Sequence, residues 1–299
     1  MKYLYNLKKA NRYFILLFSL LTLISAASGQ TIRVGLYRNF ELRTLIFKVM
    51  EGSYVVTNQD SMRTEMQPSD ILFVTAVGDK ISLWNSAQHL GIHSSIKICS
   101  NNKQSKMSIE PAYPVLQTRK YFGSFEISVD TAQRMTAVNI VPFEEYLAGV
   151  VEAESGVRAL PEFYKAQAII CRTYALSHLD RHKPDGFHLC DEVHCQAYKG
   201  FGTEHEPISK AIEDTKGQVI IDNQGMLITA AFHANSGGQT VNSEDVWSTT
   251  MPYLRGKTDP YFDKQKHSSW KETASIDDWL TFLKTMNVQV SQNTKFNFN

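Results

Sequence analysis

The segment Met135-Thr-Ala-Val-Asn-Ile-Val-Pro-Phe-Glu-Glu-Tyr-Leu-Ala-Gly-Val-Val-Glu-Ala-Glu154 joins a predicted β-strand to a predicted α-helix. Its first half is rich in the β-branched residues that favour strands, and Pro142 ends the strand and opens a helix. A second β-like run occupies residues 121–129, and the polar stretch 130–134 separates the two runs. The sequence therefore predicts a hairpin whose second strand leads directly into a helix.

Hairpins and helices continue to alternate on the C-terminal side of this segment. Residues 218–222 and 226–232 flank a turn in which Gly225 supplies a positive φ. Helices are predicted over residues 162–178, after Pro161, and after Ser275, which forms a capping box with Asp278. Interspersed hairpins and helices predict an α+β fold rather than a parallel α/β sheet. The expected buried side chains are Phe163, Ala166, Ile170, Tyr174 and Ala175 in the first helix, and Ile276, Trp279, Leu280 and Leu283 in the second.

The N-terminal third has a different pattern. Short β-like runs separated by Gly, Asn, Asp and Ser dominate residues 31–109. Residues 101–108 are polar and Pro111 and Pro114 follow them, so this stretch is the predicted linker. We therefore expect a small β-rich domain over residues 30–110, a mixed domain of hairpins and helices over residues 111–290, and a polar tail over residues 291–299.

The first 29 residues have the layout of a cleavable secretory signal. Lys8, Lys9 and Arg12 precede an apolar run over residues 13–24, and small residues follow at 25–29. The run is shorter than the roughly 20 apolar residues of a membrane span, and an uncleaved N-terminal anchor is the alternative. No later stretch is apolar enough to span a bilayer, so no membrane span is expected after cleavage. The chain is therefore expected in the periplasm, the cell envelope or the medium.

The charge balance argues against a nucleic-acid partner. The chain has 31 Lys and Arg against 30 Asp and Glu, which gives a formal net charge of +1. Binding to a polyanion requires a cationic surplus gathered on one face. The content of hydrophobic residues, 43%, suits one or two globular domains with buried cores rather than a disordered chain.

Glu154 is the candidate catalytic carboxyl group. The predicted helix has an apolar stripe from Phe143 to Val151, and one further turn of this stripe reaches Glu154, so its side chain points inward. At the C-terminus of a helix, the dipole and partial burial both favour the protonated form of a carboxyl group. Such a group can act as a general acid near neutral pH. The alternative is an ordinary helix-terminal glutamate that is hydrogen-bonded to a neighbour.

Two thiols and three imidazoles fall within residues 182–195. Cys190, His194 and Cys195 can supply three ligands of a tetrahedral zinc site. The fourth ligand is either His182 or His188, and the sequence does not decide between them. Four protein ligands leave no position for water, so this zinc ion would be structural. In an exported protein, the rival interpretation is a disulfide between the two cysteines, which leaves the histidines without a role.

The loop over residues 232–247 has the composition of a sugar-binding surface. Gly237 and Gly238 allow close approach of the backbone to a ligand, and Ser, Thr, Asn and Gln side chains surround them. Trp247 and Tyr253 offer faces on which sugar rings can stack. The loop is not a phosphate loop, because no Gly-Lys-Ser or Gly-Lys-Thr follows. A plain polar connection is the alternative.

Polar side chains also occur opposite or beside the apolar stripe of the helix over residues 162–178. Lys165 and Arg172 are seven residues apart and therefore lie on the same side of the helix. Gln167 and Thr173 lie near them in sequence. This side can form the wall of a groove that receives an acetamido sugar or an anionic group. The alternative is a solvated helix face.

Short motifs follow one another in a fixed order between about residues 121 and 259. In that order they resemble the sporulation stage II protein D (SpoIID) family, whose domain is also called the amidase-enhancer LytB domain. One departure concerns the loop after the glutamate: the family commonly has Met-Pro, whereas this chain has Ser155-Gly156. The motifs are residues 138–154, Lys165-Ala-Gln-Ala, Arg172-Thr-Tyr-Ala, residues 190–198, Ser236-Gly-Gly-Gln-Thr, Glu244-Asp-Val-Trp-Ser and Pro252-Tyr-Leu.

The resemblance implies an activity and a set of site residues. Members of the family are lytic transglycosylases that cleave peptidoglycan glycan strands freed of stem peptides, between N-acetylmuramic acid and N-acetylglucosamine, with formation of 1,6-anhydro ends. Glu154 stands at the position of the family's catalytic glutamate, and family members can carry zinc on a similar Cys/His loop. The residues expected to hold the strand are Lys165, Gln167, Arg172, Thr173, Ser236, Gly237, Gly238, Thr240, Glu244, Trp247 and Tyr253.

The family's older name supports a second hypothesis. A non-catalytic glycan-binding protein that stimulates a cell-wall amidase would need the same groove but no acid. A zinc hydrolase is a weaker third hypothesis, because the sequence has neither His-Glu-x-x-His nor an open three-ligand site. The resemblance leaves open whether the role involves sporulation, cell-wall turnover or cell separation.

Overall fold

The computed structural model describes residues 30–59, 62–262, 271 and 273–289. These residues form two compact units, one extending to Ala231 and the other beginning at Phe232. The predicted signal peptide at 1–29 and the predicted tail at 291–299 lie outside the described residues. Within the described ranges, no helix combines the length and apolar character needed to cross a membrane.

The first unit contains two β-sheets. The strands are β1 Thr31–Leu36, β2 Thr44–Glu51, β3 Tyr54–Thr57, β4 Arg63–Met66, β5 Ile71–Val77, β6 Lys80–Asn85, β7 His89–His93, β8 Ser95–Ser100, β9 Lys106–Tyr113, β10 Arg119–Phe122, β11 Ser124–Val129, β12 Met135–Pro142 and β13 Leu189–Cys190. The seven-stranded sheet has the order β13-β1-β12-β11-β8-β3-β4, and the six-stranded sheet has the order β10-β9-β2-β5-β6-β7.

The hairpin predicted around residues 121–141 lies at the centre of the seven-stranded sheet. β11 pairs with β12 in antiparallel register, with Ser124 opposite Ile140 at one end. On its other side β12 pairs with β1, with Thr31 opposite Pro142. The first described strand is therefore the neighbour of the strand that leads into the helix.

The domain boundary predicted near residue 110 is wrong, because strands from both sides of it share the two sheets. β9 runs through the predicted linker and pairs with both β2 and β10. β8 in turn pairs with β11. The polar residues at 101–105 form the turn before β9. The α+β prediction is confirmed, and a β-rich region does precede most of the helices, but this region belongs to the same compact unit as they do.

The hydrophobic core lies between the two sheets. Leu45, Phe47 and Val49 alternate along β2 and are buried, as expected for a strand with one covered face. The Phe47 ring meets Phe125 of β11 edge to face, with ring centroids 5.7 Å apart, and this contact joins the sheets. Burying one such side chain stabilises the fold by roughly 1.5–3 kcal/mol. The shared core therefore holds both sheets in one unit.

The helices that carry the candidate site follow β12. α1 spans Phe143–Ser155 and α2 spans Pro161–Ser177, starting at the two prolines as predicted. α2 packs against α1 and against α3, Glu206–Asp214. The predicted buried face of α2 is confirmed at Ala175 but is otherwise displaced by about one residue, because this packing buries Tyr164, Ala168 and Cys171 and leaves Phe163 50% exposed.

The remaining predicted elements agree with the structure in part. The hairpin over residues 218–232 is reduced to one bridge between Ile221 and Leu227, although Gly225 has the predicted positive φ of 79°. In the second unit, α4 spans Glu244–Trp247 and α5 spans Ile276–Thr285. Ser275 caps α5 by accepting a hydrogen bond from the N–H of Asp278, as predicted. Leu280 is the buried residue of α5, whereas the predicted Ile276 is 74% exposed and Trp279 37% exposed.

Candidate functional site

Glu154 lies in the last turn of α1, at the end of its buried face. Val150 and Val151 in the preceding turn are fully buried, and Glu154 is half-buried. Its Oε1 atom accepts a hydrogen bond of 2.8 Å from the backbone N–H of Ala197. The salt bridges described on α1 and α2 engage other carboxylates. Glu154 therefore has one fixed oxygen and no cationic partner among the described residues.

The loop after Glu154 is held by a tyrosine. Gly156 ends α1 with a φ of 65°, a conformation that glycine adopts readily. The buried Tyr164 hydroxyl donates to the carbonyl oxygen of Gly156 at 3.1 Å and accepts from the N–H of Ala159 at 3.0 Å. The loop therefore has a defined path where the chain departs from the family's Met-Pro pattern.

Removing the Tyr164 hydroxyl tests this account of the loop. We expect Tyr164→Phe to lower the free energy of unfolding by about 1–3 kcal/mol, because the partly buried N–H of Ala159 loses its acceptor. Urea denaturation followed by circular dichroism measures this change. Tyr113→Phe, on a tyrosine that is 64% exposed, is the matched control. An equal effect of both substitutions would contradict a specific role for Tyr164.

The N–H group that meets Glu154 is positioned by a buried polar network. Gln196, the residue before Ala197, is 2% exposed. Its Oε1 atom accepts from the Tyr146 hydroxyl of α1 at 3.2 Å, and its Nε2 atom donates to the carbonyl oxygen of Cys171 in α2 at 3.4 Å. Both helices therefore hold the segment that supplies the hydrogen bond to Glu154.

The chain beyond Ala197 also packs closely on α1. A Cβ atom on Gly149 would lie 2.3 Å from the carbonyl oxygen of Gly200, so only glycine permits this approach. Glu152 accepts hydrogen bonds from the N–H groups of Gly202 and Thr203, at 3.2 and 2.9 Å. Glu152 thus anchors this segment on the flank of α1, away from the side on which Glu154 lies.

The candidate metal ligands are close together in space. One ligand atom from each of His182, Cys190, His194 and Cys195 lies within 4.8 Å of the others. The two sulfur atoms are buried, and each is 3.7 Å from Nδ1 of His194. The set of two thiols and two imidazoles is a common donor set for tetrahedral structural zinc.

The surroundings of the cluster fit a bound metal ion. The Nδ1 atom of His182 is 2.9 Å from Oδ2 of Asp185, which is the carboxylate–histidine pairing typical of metal ligands. The other ring nitrogen of His182, Nε2, is buried without a hydrogen-bond partner. Hydrogen bonding from the neighbouring Cys195 thiol lowers the pKa of the Cys190 thiol, which favours a thiolate. The cluster thus offers an unused donor atom and a stabilised anion.

The geometry distinguishes between the alternatives that the sequence leaves open. His188 lies outside the cluster, because its Nδ1 atom accepts from the backbone N–H of Arg33 at 3.1 Å. His182 lies in the cluster instead. Cys190 and Cys195 are free thiols in the structure, and their sulfur atoms lie within 4.8 Å of ligand atoms of both His182 and His194.

The predicted groove on α2 is corrected by the structure. Arg172 is 2% exposed, and its Nη2 atom donates to Oε2 of Glu144 at 2.8 Å and to the carbonyl oxygen of Ile212 at 3.3 Å. Thr173 is fully buried; its hydroxyl donates to the carbonyl oxygen of Ile169 within α2 and accepts from the N–H of Ile220 at 2.9 Å. These two side chains join α2 to neighbouring elements and are not available to a glycan.

The other two residues predicted on this helix differ in exposure. Gln167 is 7% exposed and donates to Sγ of Cys171 at 3.5 Å. Lys165 remains partly exposed and forms salt bridges with Glu162 at 3.0 Å and Asp214 at 3.4 Å. Of the four predicted residues on α2, Lys165 is therefore the one most accessible to a ligand.

The interior position of Arg172 leads to a testable prediction. We expect Arg172→Leu to lower the free energy of unfolding by about 3 kcal/mol, because it leaves the Glu144 carboxylate without its partner and frees several carbonyl groups. Chemical denaturation measures the loss. Lys165→Leu, on the exposed side, is the control and should leave the denaturation midpoint close to that of the parent. A fully stable Arg172→Leu protein would restore the groove assignment.

The second unit contains the remaining predicted glycan residues. Ser236 donates to Oδ2 of Asp259 at 2.6 Å and accepts from the N–H of Gly238 at 3.2 Å, while Gly237 adopts a φ of 66°. Thr240 accepts from the N–H of Lys257 at 2.8 Å. The polar loop is therefore organised by its own hydrogen bonds.

A charged pair and two aromatic side chains complete this loop. Both carboxylate oxygens of Glu244 contact the Arg255 guanidinium, which holds the pKa of Glu244 at about 2. Glu244 is thus ionised and forms an ion pair with Arg255. Trp247 and Tyr253 are 50% and 39% exposed, so their rings can be reached by a ligand.

Part of this chain is similar to a known protein family. Residues 131–221 match the SpoIID family model, described as Stage II sporulation protein. This segment of the chain is similar to the SpoIID family. It is 30% identical over 190 residues to Stage II sporulation protein D of Bacillus subtilis, a match that covers 58% of this chain and 54% of that protein.

Two further curated proteins are similar to this chain. Identity to the Amidase enhancer of Bacillus subtilis is 35% over 174 residues, covering 54% of this chain and 23% of that protein. Identity to Stage II sporulation protein D of Bacillus amyloliquefaciens is 29% over 170 residues, covering 52% and 48%. The chain thus matches about half the length, or less, of these curated relatives.

Several residues of the site were not identified from the sequence. Tyr164 acts through a hydrogen bond to the loop that precedes α2, and Gln196 acts through a hydrogen bond to α1, which is distant in sequence. Asp185, three residues after His182, was not predicted as its partner. Asp191 is buried beside Arg119, with 2.7 Å between Oδ2 and Nη1. An Asp in the turn after His182 was the one usable signal, because metal-binding histidines commonly pair with a carboxylate.

Proposed function

We propose that this chain is a lytic transglycosylase of the SpoIID family that cleaves stem-peptide-free peptidoglycan strands. The bond broken would be the one between N-acetylmuramic acid and N-acetylglucosamine, and the products would carry 1,6-anhydro ends. The match of residues 131–221 to the SpoIID family model and the likeness to an amidase enhancer support a role at the cell wall. The observation that carries the finer proposal is Glu154, a half-buried carboxyl group with one anchored oxygen and no described cationic partner.

The proposed mechanism uses Glu154 twice. The N–H of Ala197 fixes Oε1, so the second carboxyl oxygen is the one that can carry and transfer a proton. As an acid it protonates the glycosidic oxygen while an oxocarbenium-like centre forms on the muramoyl ring. As a carboxylate it then takes the proton of the muramoyl C6 hydroxyl, whose oxygen closes on C1. One carboxyl group therefore suffices, and no water is consumed.

Strand binding is proposed to involve the exposed side chains of the predicted set. Lys165 in the first unit keeps solvent access and can meet a lactyl carboxylate, which replaces its exposed partner Glu162. Trp247 and Tyr253 in the second unit offer accessible rings. Arg172 and Thr173 are left out of the proposal because they are buried.

A structural zinc ion is proposed at His182, Cys190, His194 and Cys195. Four protein ligands give it the closed coordination of a structural site, so it would tie the segment at 190–195 to the turn that contains His182. The proton transfers assigned to Glu154 do not pass through it. We also propose that the protein is exported to the periplasm or cell envelope, where its substrate occurs.

Product analysis on two substrates tests the proposed activity. Peptidoglycan strands with and without prior amidase treatment are incubated with the protein, and soluble products are identified by mass spectrometry. Anhydro-ended fragments from the amidase-treated strands alone are expected. Reducing-end fragments would contradict the lytic mechanism, and fragments from untreated strands would contradict the requirement for denuded glycan.

The second candidate function is stimulation of an amidase by a non-catalytic glycan-binding protein. The observation in its favour is the 35% identity to a protein named Amidase enhancer. Under this hypothesis, purified protein yields no fragments by itself but raises the rate at which a cell-wall amidase releases stem peptides. Glu154→Gln would leave that stimulation unchanged, because binding does not require a proton donor.

A further inference from the structure

The outer face of the six-stranded sheet carries a row of apolar and aromatic side chains. The strand register places Ile46 of β2 opposite Phe73 of β5, Phe73 opposite Trp84 of β6, and Trp84 opposite His89 of β7. We call these four residues the cross-strand row. Adjacent strands lie about 4.8 Å apart, so the row extends for roughly 14 Å across the sheet.

The cross-strand row is open to solvent. Trp84 is 48% exposed and Phe73 is 36% exposed, although their strand neighbours Leu72, Val74 and Leu83 are fully buried on the other face. Exposed aromatic side chains gathered in one patch commonly mark a binding surface. The six-stranded sheet thus has a covered face in the core and an uncovered face with aromatic rings.

Two of the rings are held in place by one hydroxyl group. The indole Nε1 of Trp84 donates to Oγ of Ser82 at 3.2 Å, and Oγ of Ser82 is also 3.2 Å from Nε2 of His89. The Trp84 and His89 ring centroids are 4.6 Å apart. Because Ser82 lies two residues before Trp84 on the same face, the indole extends along the strand and leaves a ring face accessible. Because these two rings are already ordered, a ligand that stacks on them causes little further loss of side-chain entropy.

Hydroxyl groups run beside the aromatic side chains. Thr44, Thr75 and Ser82 occupy successive paired positions next to the cross-strand row, and the hydroxyls of the two threonines are 3.3 Å apart. The charged residues next to the row are Lys48 of β2 and Glu110 of β9, and both lie beside Ile46 at one end of the row. The centre of the surface therefore combines flat apolar rings and neutral hydroxyl groups.

We propose that the cross-strand row is a second glycan-binding site, which holds a polysaccharide strand by stacking its pyranose rings. The axial C–H groups of a pyranose fit an aromatic ring face, and its equatorial hydroxyls can bond to Thr and Ser hydroxyls. An uncharged centre suits neutral sugar rings and offers little to a polyanion such as nucleic acid. That the strand is denuded peptidoglycan rests on the proposed function.

Retention on insoluble glycan tests the site. The experiment uses the full chain with Glu154→Gln, so that strands are not cut, and amidase-treated sacculi as the probe. Adding Trp84→Ala and Phe73→Ala together is expected to weaken binding by about tenfold or more, because two ring faces are lost. Replacing Trp84→Ala by Trp84→Phe in this variant should recover most of the binding, because phenylalanine keeps an aromatic ring at position 84. Phe282→Ala, on an exposed aromatic side chain of α5, should leave binding unchanged.

Three kinds of result would overturn the proposal. Equal retention of all variants, or no retention of the parent, excludes a glycan site on this face. Retention that falls steeply with added salt would indicate an ionic surface instead. If the double variant changes only the oligomeric state in analytical ultracentrifugation, the row contacts a second copy of the chain. Unaltered thermal unfolding of the double variant confirms that it is folded.

The test separates this inference from the proposed function. If the wild-type chain yields no anhydro products but its retention depends on Trp84, the lytic activity is contradicted and the second glycan site is supported. If anhydro products form but retention does not depend on Trp84, the second glycan site is contradicted and the lytic activity is supported. The two proposals therefore fail independently.

Discussion

Glu154→Gln should abolish cleavage of denuded strands without unfolding the protein. We expect the rate to fall by at least about a thousandfold, because the amide cannot donate the proton that the departing sugar oxygen requires. The change is nearly isosteric, so the N–H of Ala197 can still meet an oxygen at the Oε1 position. Anhydro products counted by mass spectrometry over time give the rate, and binding to sacculi gives the affinity.

A matched control separates the role of Glu154 from that of any carboxylate nearby. Glu162 lies at the start of α2, and its side chain is 82% exposed. Glu162→Gln should therefore retain nearly full activity. If Glu154→Gln kept more than about a tenth of the wild-type rate, general acid catalysis by this group would be wrong.

Loss of the metal site is the second large effect that we expect. Cys190→Ser should remove zinc from the purified protein and lower the free energy of unfolding by at least about 3 kcal/mol, since a structural metal contributes its binding energy to folding. Activity should fall as well, because Cys195 is followed directly by Gln196 and Ala197, whose N–H holds Glu154. Metal content by mass spectrometry and thermal unfolding with and without a chelator measure both effects.

Cys99 provides the control for the metal site. It is a free, half-buried thiol in β8, away from the His/Cys cluster. Cys99→Ser should keep one zinc ion per chain and the response to the chelator. A wild-type protein that contains no metal, or a chelator that leaves the thermal unfolding unchanged, would contradict a structural zinc ion at His182, Cys190, His194 and Cys195.

The local parts of the site could be predicted from the sequence. α1 was predicted with its buried face and its end at Glu154, because helical spacing is a property of nearby residues. The cluster of thiols and imidazoles was predicted from the density of Cys and His residues within one short stretch. The choice between His182 and His188 required the structure, since it depends on the pairing of residue 188 with β1.

The non-local parts could not be predicted in the same way. The supposed domain boundary failed because β1 pairs with β12 more than a hundred residues later, which no local pattern reveals. Arg172 was assigned to a solvent-facing groove because arginine is usually exposed. Its partners Glu144 and Ile212 come from two other helices, and they satisfy it in the interior.

The most direct test of the central claim is to run the cleavage reaction in water labelled with heavy oxygen. The lytic mechanism closes the muramoyl C6 oxygen on C1, so the account predicts anhydro-ended fragments that contain no label from the solvent. Incorporation of heavy oxygen at a new reducing end would mean that water attacks the sugar. That result would contradict the assignment of Glu154 to a transglycosylase and make the protein a hydrolase.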